Sequence, residues 1–240
     1  MYADDLLLLS ISITHLQKMI DMCTQVLGYC DLQINPNKSF CLRIAPRHNI
    51  SRCILTINNQ LVTWKSEIRY LGVLIVSSKK FKCNLQGNRQ KFFQATNSIF
   101  GKIGTKAPLN LTLSLIDIYC IPVLLYGLEV LTLTKSERST LDFIYSTVFF
   151  KILLVKDSIN IKLCQFFSSC LPPSCRLDIK KLNFWHSVQN FKNSIPLQLI
   201  ALGGKEEFTS LATKYNCLPY DHGFLIKNKV FKWFESELSL

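Results

Sequence analysis

Tyr2-Ala3-Asp4-Asp5-Leu6-Leu7-Leu8-Leu9 sets two adjacent carboxylates directly before an unbroken apolar run. Four aliphatic residues in a row read as a buried strand. A carboxylate pair before such a run suits a tight hairpin between two strands, where both side chains can reach one site. An all-oxygen donor pair suits Mg²⁺, which takes carboxylates and substrate phosphates. Two such ions can align a hydroxyl nucleophile and a phosphate leaving group for in-line displacement. Taken alone, an Asp-Asp pair is more often a solvated turn.

Downstream, the pattern predicts strands followed by helices, an α+β chain. Thr14 and Gln17 have capping-box spacing. Leu16, Met19, Ile20, Cys23 and Leu27 then recur with a helical period, and Gly28 is the expected stop. Phe40, Leu42 and Ile44 alternate as in a strand. Cys53–Ile57 and Leu61–Trp64 flank Asn58-Asn59-Gln60 as a hairpin, and Ile68 to Val76 reads as a third strand. From about Lys79 the period becomes helical, with Phe92, Ala95, Ile99 and Ile103 on one face. Thr134 and Glu137 form a second capping box ahead of Leu141, Ile144, Tyr145, Val148 and Ile152. Pro172-Pro173 marks an expected subdomain boundary, and about three helical segments follow from Arg176, in which no chemistry is legible.

The 240 residues carry 28 Lys+Arg against 16 Asp+Glu, a formal charge of +12. The hydrophobic fraction of 48% excludes a disordered chain, and the scarcity of Gly (9) and Pro (8) excludes collagen-like or linker-rich architectures. The charge is concentrated. Leu32 to Lys106 holds 13 Lys/Arg and one acid, Glu67, so this segment equals the charge of the whole chain. Nucleic acid is the commonest partner of so basic a stretch, and a solvated face with no specific partner is the other reading.

The ten cysteines include no Cys-x-x-Cys pair, and Met1 is followed without a basic flank, which predicts no cleavable leader. Free, mostly buried thiols are expected, with no disulfide-linked partner. Cys170, Cys175 and His186 are potential zinc ligands, but their spacing matches no familiar site. Leu111–Leu133 is long enough to span a bilayer, yet Asp117, Pro122 and Glu129 make core helices the better reading and no membrane partner is expected.

Several landmarks occur in one order. Tyr2-Ala3-Asp4-Asp5 is similar to the Tyr-x-Asp-Asp signature of reverse transcriptases. Gly28, Leu32, Ile34, Asn35 and Lys38 resemble the family's next motif, a helix end leading to an Asn-x-x-Lys turn. Arg69-Tyr70-Leu71-Gly72-Val73 resembles the hairpin that grips the primer strand. Pro122-Val123-Leu124-Leu125-Tyr126-Gly127-Leu128-Glu129 resembles the thumb signature of LINE-type (non-LTR) retrotransposon enzymes. The resemblance covers roughly residues 1 to 155. It implies a partial palm of antiparallel strands plus helix over 1–78, a helical thumb over 79–170 and a helical segment of unknown role over 171–240.

The same resemblance implies an RNA-directed DNA polymerase with an RNA template, a DNA primer and Mg²⁺. Asp4 matches the metal-binding aspartate and Asp5 its partner, with Tyr2 and Ala3 near the primer end and the incoming nucleotide. Lys38 matches the lysine that can donate a proton to pyrophosphate, and it also reads as a surface lysine after a turn. Tyr70, Leu71 and Gly72 match the primer grip and read equally as an ordinary strand. Lys79, Lys80, Lys82, Arg89, Lys91, Lys102 and Lys106 fall where a thumb would hold a duplex backbone. Phe92, between them, reads as core before it reads as a base-stacking ring.

The family's fingers, and the upstream aspartate that bridges both metals, are not among these 240 residues. The expectation is a downstream fragment of a nuclear enzyme, inactive by itself. A non-specific nucleic-acid-binding remnant and a relic without function are the alternatives. Leu131 stands where the thumb motif usually has tryptophan, and no Cys/His knuckle follows Cys170.

Overall fold

The computed structural model describes residues 4–44, 54–79, 81–104, 107–189, 205–218 and 221–238. The fold is mixed α and β. It divides into two compact units, Met1–Asn84 and Leu85–Leu240.

In the first unit, helix α1 spans Ile13–Gly28. Its N-cap is Ser12, whose hydroxyl accepts the His15 N–H at 3.2 Å. The expected Thr14–Gln17 box does not form: α1 starts at Ile13, so Thr14 lies inside its first turn, and Gln17 is used elsewhere. Its side-chain amide pairs with the Thr56 backbone, accepting from Thr56 N–H and donating to Thr56 C=O, both at 2.9 Å. A glutamine can do this because it carries a donor and an acceptor in the geometry of a peptide group.

That clamp fixes α1 against a hairpin of β2 (Thr56–Ile57) and β3 (Gln60–Leu61). The hairpin is as expected but tighter: Asn58 and Asn59 alone form the turn, at φ 50° and 64°. Two left-handed residues match the twist of the flanking strands, and asparagine tolerates that conformation. Cys53 lies outside the described residues.

Strand β1 (Phe40–Cys41) runs parallel to β4 (Thr63–Trp64) for one pair of residues each. The core of this unit is Ile20, Leu55, Ile57 and Val62, with Leu8, Ile34 and Trp64 packed on it. The run Leu6–Leu9 is not a strand. Asp5 makes an isolated bridge, the backbone beyond it is irregular, and Leu9 stays 74% exposed. Apolar composition alone does not make a strand, since each strand needs a partner for its backbone groups.

The expected single strand from Ile68 to Val76 is folded into a hairpin. β5 (Glu67–Tyr70) and β6 (Val73–Val76) pair antiparallel around Leu71 and Gly72, with Tyr70 opposite Val73. Strand β7 (Lys82–Cys83) adds to β6, so the chain after Lys79 is still in the sheet and not yet helical.

Among its described residues the second unit contains helices joined by turns and no strand. α2 (Gln86–Ile103) buries Phe92 and Thr96, with Ala95, Ile99 and Ile103 half-buried on the same side, as expected. The Leu111–Leu133 segment breaks into α3 (Leu109–Leu115), a π-helical turn (Ile116–Cys120) and α4 (Ile121–Leu124). Among the described residues no helix is long and apolar enough to cross a membrane.

Helix α5 (Lys135–Leu153) starts at the expected capping box. Thr134 Oγ1 accepts from Glu137 N–H at 3.2 Å, and Glu137 accepts from Thr134 N–H at 2.9 Å. α5 buries Leu141, Ile144, Tyr145, Val148 and Phe149. α6 (Ser158–Phe167) and α7 (Pro173–Gln189) follow, then α8 (Lys205–Lys214) and α9 (Phe224–Glu237). Pro172-Pro173 falls inside this unit. Pro173 opens α7, where a missing N–H costs nothing. Hydrogen bonds cross the dipeptide: Asp142 on α5 accepts the Ser174 N–H at 2.8 Å.

Candidate functional site

Asp4 sits in a turn and Asp5 in the adjoining bridge, both exposed. Tyr2 and Ala3 lie outside the described residues. Two exposed carboxylates fit the donor chemistry of Mg²⁺, which completes its shell with water and phosphate. Among the described residues no group of three or more His, Cys, Asp or Glu gathers as a metal site.

Lys38 ends a short 3₁₀ turn, Pro36–Lys38. Asn35 builds it: its side-chain oxygen accepts the Asn37 N–H at 3.0 Å, while its carbonyl accepts from Ser39 Oγ at 2.8 Å. Pro36 presets the backbone at the first position. The Asn-x-x-Lys spacing is thus a capped turn that leaves the Lys38 side chain exposed.

Tyr70 is half-buried at the end of β5, and Leu71 and Gly72 form the tip. Leu71 is left-handed at φ 46° and 39% exposed, with Gly72 at φ 82°. Glycine adopts this backbone freely; a leucine there stores strain of about 1 kcal/mol. The base of the hairpin is pinned, since Ser77 Oγ donates to the Arg43 carbonyl at 2.6 Å.

The basic residues divide between the units. Lys79 is exposed beyond β6, and Lys82 is exposed on β7. Lys80 and Lys106 lie outside the described residues. Arg89, Lys91 and Lys102 are exposed on α2 but do not form one stripe. At about 100° per residue, Lys91 and Lys102 fall within about 20° of each other, with Arg89 on the opposite flank of the buried face. Arg89 stands 5.7 Å from the Phe93 ring centroid, and Lys151, from α5, stands 4.4 Å from that of Phe100. Phe92 is fully buried and is core.

The Pro122–Glu129 phrase is core and turn. Leu124, Leu125 and Leu128 are buried, and Gly127 takes φ 71° where α4 has ended. The Asn88 side chain donates to the carbonyls of Leu124 and Tyr126, at 3.2 and 3.1 Å. Leu131 is buried as well.

Polar networks in the second unit had no expectation attached to them. Arg176 Nη2 donates to both oxygens of Asp117 at 3.0 and 2.8 Å, and the Tyr145 hydroxyl donates to Asp117 at 2.8 Å. Burial pushes the Tyr145 phenol up, so it stays a donor. Asp178 is wholly buried, and its Oδ2 accepts from Arg138 at 2.6 Å, Tyr215 at 2.6 Å and Lys214 at 3.3 Å. Lys181 is buried too, bonded to the Leu131 carbonyl and to Glu207. The sequence signal was charged residues at helical spacing inside amphipathic segments, which reads as surface by default.

The three proposed zinc ligands are not assembled. Cys170 contacts the Asp117 carboxylate, Cys175 lies in the α7–α9 core, and the His186 ring stacks on His222. Burial raises the Cys175 thiol to about 12, the state of an inert core cysteine. No protein-family model, curated protein or solved structure matches this chain.

Proposed function

We propose that this chain carries the catalytic turn, primer-grip hairpin and thumb of a LINE-type reverse transcriptase. What carries the reading is the order of four elements. An exposed Asp4-Asp5 turn is followed by a capped Asn35–Lys38 turn, a strained Leu71-Gly72 hairpin tip and a Tyr126-Gly127-Leu128 turn packed on α2.

In this reading Asp4 and Asp5 would hold Mg²⁺ in the complete enzyme, where it would supply charge neutralisation and activation of the primer hydroxyl. Lys38 gives a proton to the departing pyrophosphate, and its exposed ammonium also offsets the charge developing there. The Leu71-Gly72 tip brings backbone against the primer strand, where a missing Cβ permits close approach. Lys79, Lys82, Arg89, Lys91 and Lys102 neutralise phosphates without reading sequence.

Two carboxylates are one short of the set the two-metal mechanism uses in this family. The 240 residues alone are therefore proposed not to polymerise. RNA-templated primer extension with the purified chain and Mg²⁺ tests this, and robust incorporation abolished by Asp4→Ala overturns it.

A second reading is non-specific nucleic-acid binding. The observation favouring it is that Lys79, Lys82, Arg89, Lys91 and Lys102 are all exposed in a stretch with no acid between Glu67 and Asp117. Binding should then fall steeply with salt. A titration of duplex affinity that is flat in salt contradicts it.

A further inference from the structure

Helix α2 carries a second feature besides its lysines. Arg89, Phe93 and Phe100 lie within about 40° of one another around the helix axis. Phe93 and Phe100 are both half-buried. Phe93 is backed by the fully buried Phe92, whose ring meets it edge-on at 5.7 Å. Phe100 is flanked by Lys151 of α5, whose ammonium also approaches Asn97 Oδ1 at 3.4 Å. Each ring thus has its own cation, and α2 carries no acid.

We infer that Phe93 and Phe100, with Arg89 and Lys151, form a stacking stripe for single-stranded nucleic acid. The inference rests on the nucleic-acid reading of this basic region, but not on polymerase chemistry. Charge decides the occupant. A positively charged surface with rings interleaved matches a polyanion that also presents flat apolar faces, which is a strand with unpaired bases. A duplex hides those faces in its own stack and offers only phosphates along its length.

The cation–ring pairs do not block the site. An exposed pair is worth about 0.5–1 kcal/mol, whereas base–aromatic stacking contributes about 1–3 kcal/mol. A base that takes the ring releases the cation to the neighbouring phosphate. The two rings are about 10 Å apart along the helix, too far for successive stacked bases at about 3.4 Å. The stripe therefore takes two bases of one strand with others between them.

The test is fluorescence anisotropy of the purified 240-residue chain with labelled oligothymidylate, oligouridylate and a duplex of equal length, across a salt series. Phe93→Leu and Phe100→Leu should each weaken single-strand binding about 10-fold. Duplex binding should stay within about twofold, because phosphate contacts remain. Lys151→Gln should weaken both and lower the single-strand salt slope by about 0.7. Phe93→Tyr and Phe100→Tyr keep the ring and should keep binding, so they carry the test if leucine disturbs the helix.

Single-strand binding by the leucine variants equal to the parent's overturns the inference. So does equal loss on strand and duplex, or self-association that the leucine variants abolish, which would make a second copy the occupant. Primer extension that survives Asp4→Ala in a chain completed with fingers and upstream palm, with the strand–duplex difference intact, overturns the polymerase reading and leaves the stripe standing.

Discussion

Arg176 on α7 closes on Asp117 in the π-helical turn 59 residues earlier, reaching both carboxylate oxygens at 3.0 and 2.8 Å. Tyr145 on α5 donates to the same carboxylate, so three separate stretches meet at one charge. Removing Arg176 leaves Asp117 without its cation in a site where its side chain is 27% exposed. Arg176→Ala should cost about 2–4 kcal/mol, below the full value for a sealed pair because water reaches this one. Tyr145→Phe, losing one hydrogen bond, should cost about 1 kcal/mol. Urea unfolding of the whole chain measures both.

Leu71 separates stability from function. Its left-handed backbone is unfavourable for leucine, and asparagine takes it more easily. Leu71→Asn should raise stability by up to about 1 kcal/mol. If the tip grips a primer, the same change should weaken primer–template binding by the chain. A rise in the unfolding midpoint with unchanged primer affinity would make the tip an ordinary turn.

Asp142 gives a pH dependence. Burial holds its carboxyl above the usual range, only partly offset by the Ser174 N–H and by Arg138. Its folded value exceeds its unfolded value, so the folded state binds more protons between the two. Stability from this group is fullest below the unfolded value near 3.9 and falls as pH rises through the folded one. Asp142→Asn keeps an acceptor for Ser174. It should raise the melting temperature at neutral pH, with the gain vanishing in acid. Melting curves across pH check this.

Helix α5 shows why part of the fold could be read directly. Its cap is a local interaction between Thr134 and Glu137, set by sequence spacing alone. Thr134→Ala should cost about 1 kcal/mol, measurable by the same unfolding curves. Asn58-Asn59 is local in the same way.

Gln17 had the same spacing to Thr14 but was taken by Thr56, 39 residues away, which no local rule anticipates. Arg176 and Asp178 lie in the tail where no chemistry is legible from sequence, yet they form internal pairs, because their partners Asp117, Arg138 and Tyr215 come from distant segments. Of the candidate site, the Asn35 turn follows from residue type at short range, whereas the Leu71-Gly72 bend interrupts what reads as one strand and sets a leucine at φ 46°, which residue type alone disfavours. The division of α2's cations between two flanks follows from which face Phe92 buries.

The polymerase reading meets its most direct test in RNA-templated primer extension with Mg²⁺. The assay compares the 240-residue chain with a longer product that joins it to the fingers and upstream palm of a LINE-type reverse transcriptase. Extension by the longer product, lost on Asp4→Ala and absent from the 240-residue chain, is the result this account predicts. Extension by the shorter chain alone, or extension by the longer one that survives Asp4→Ala, would contradict it.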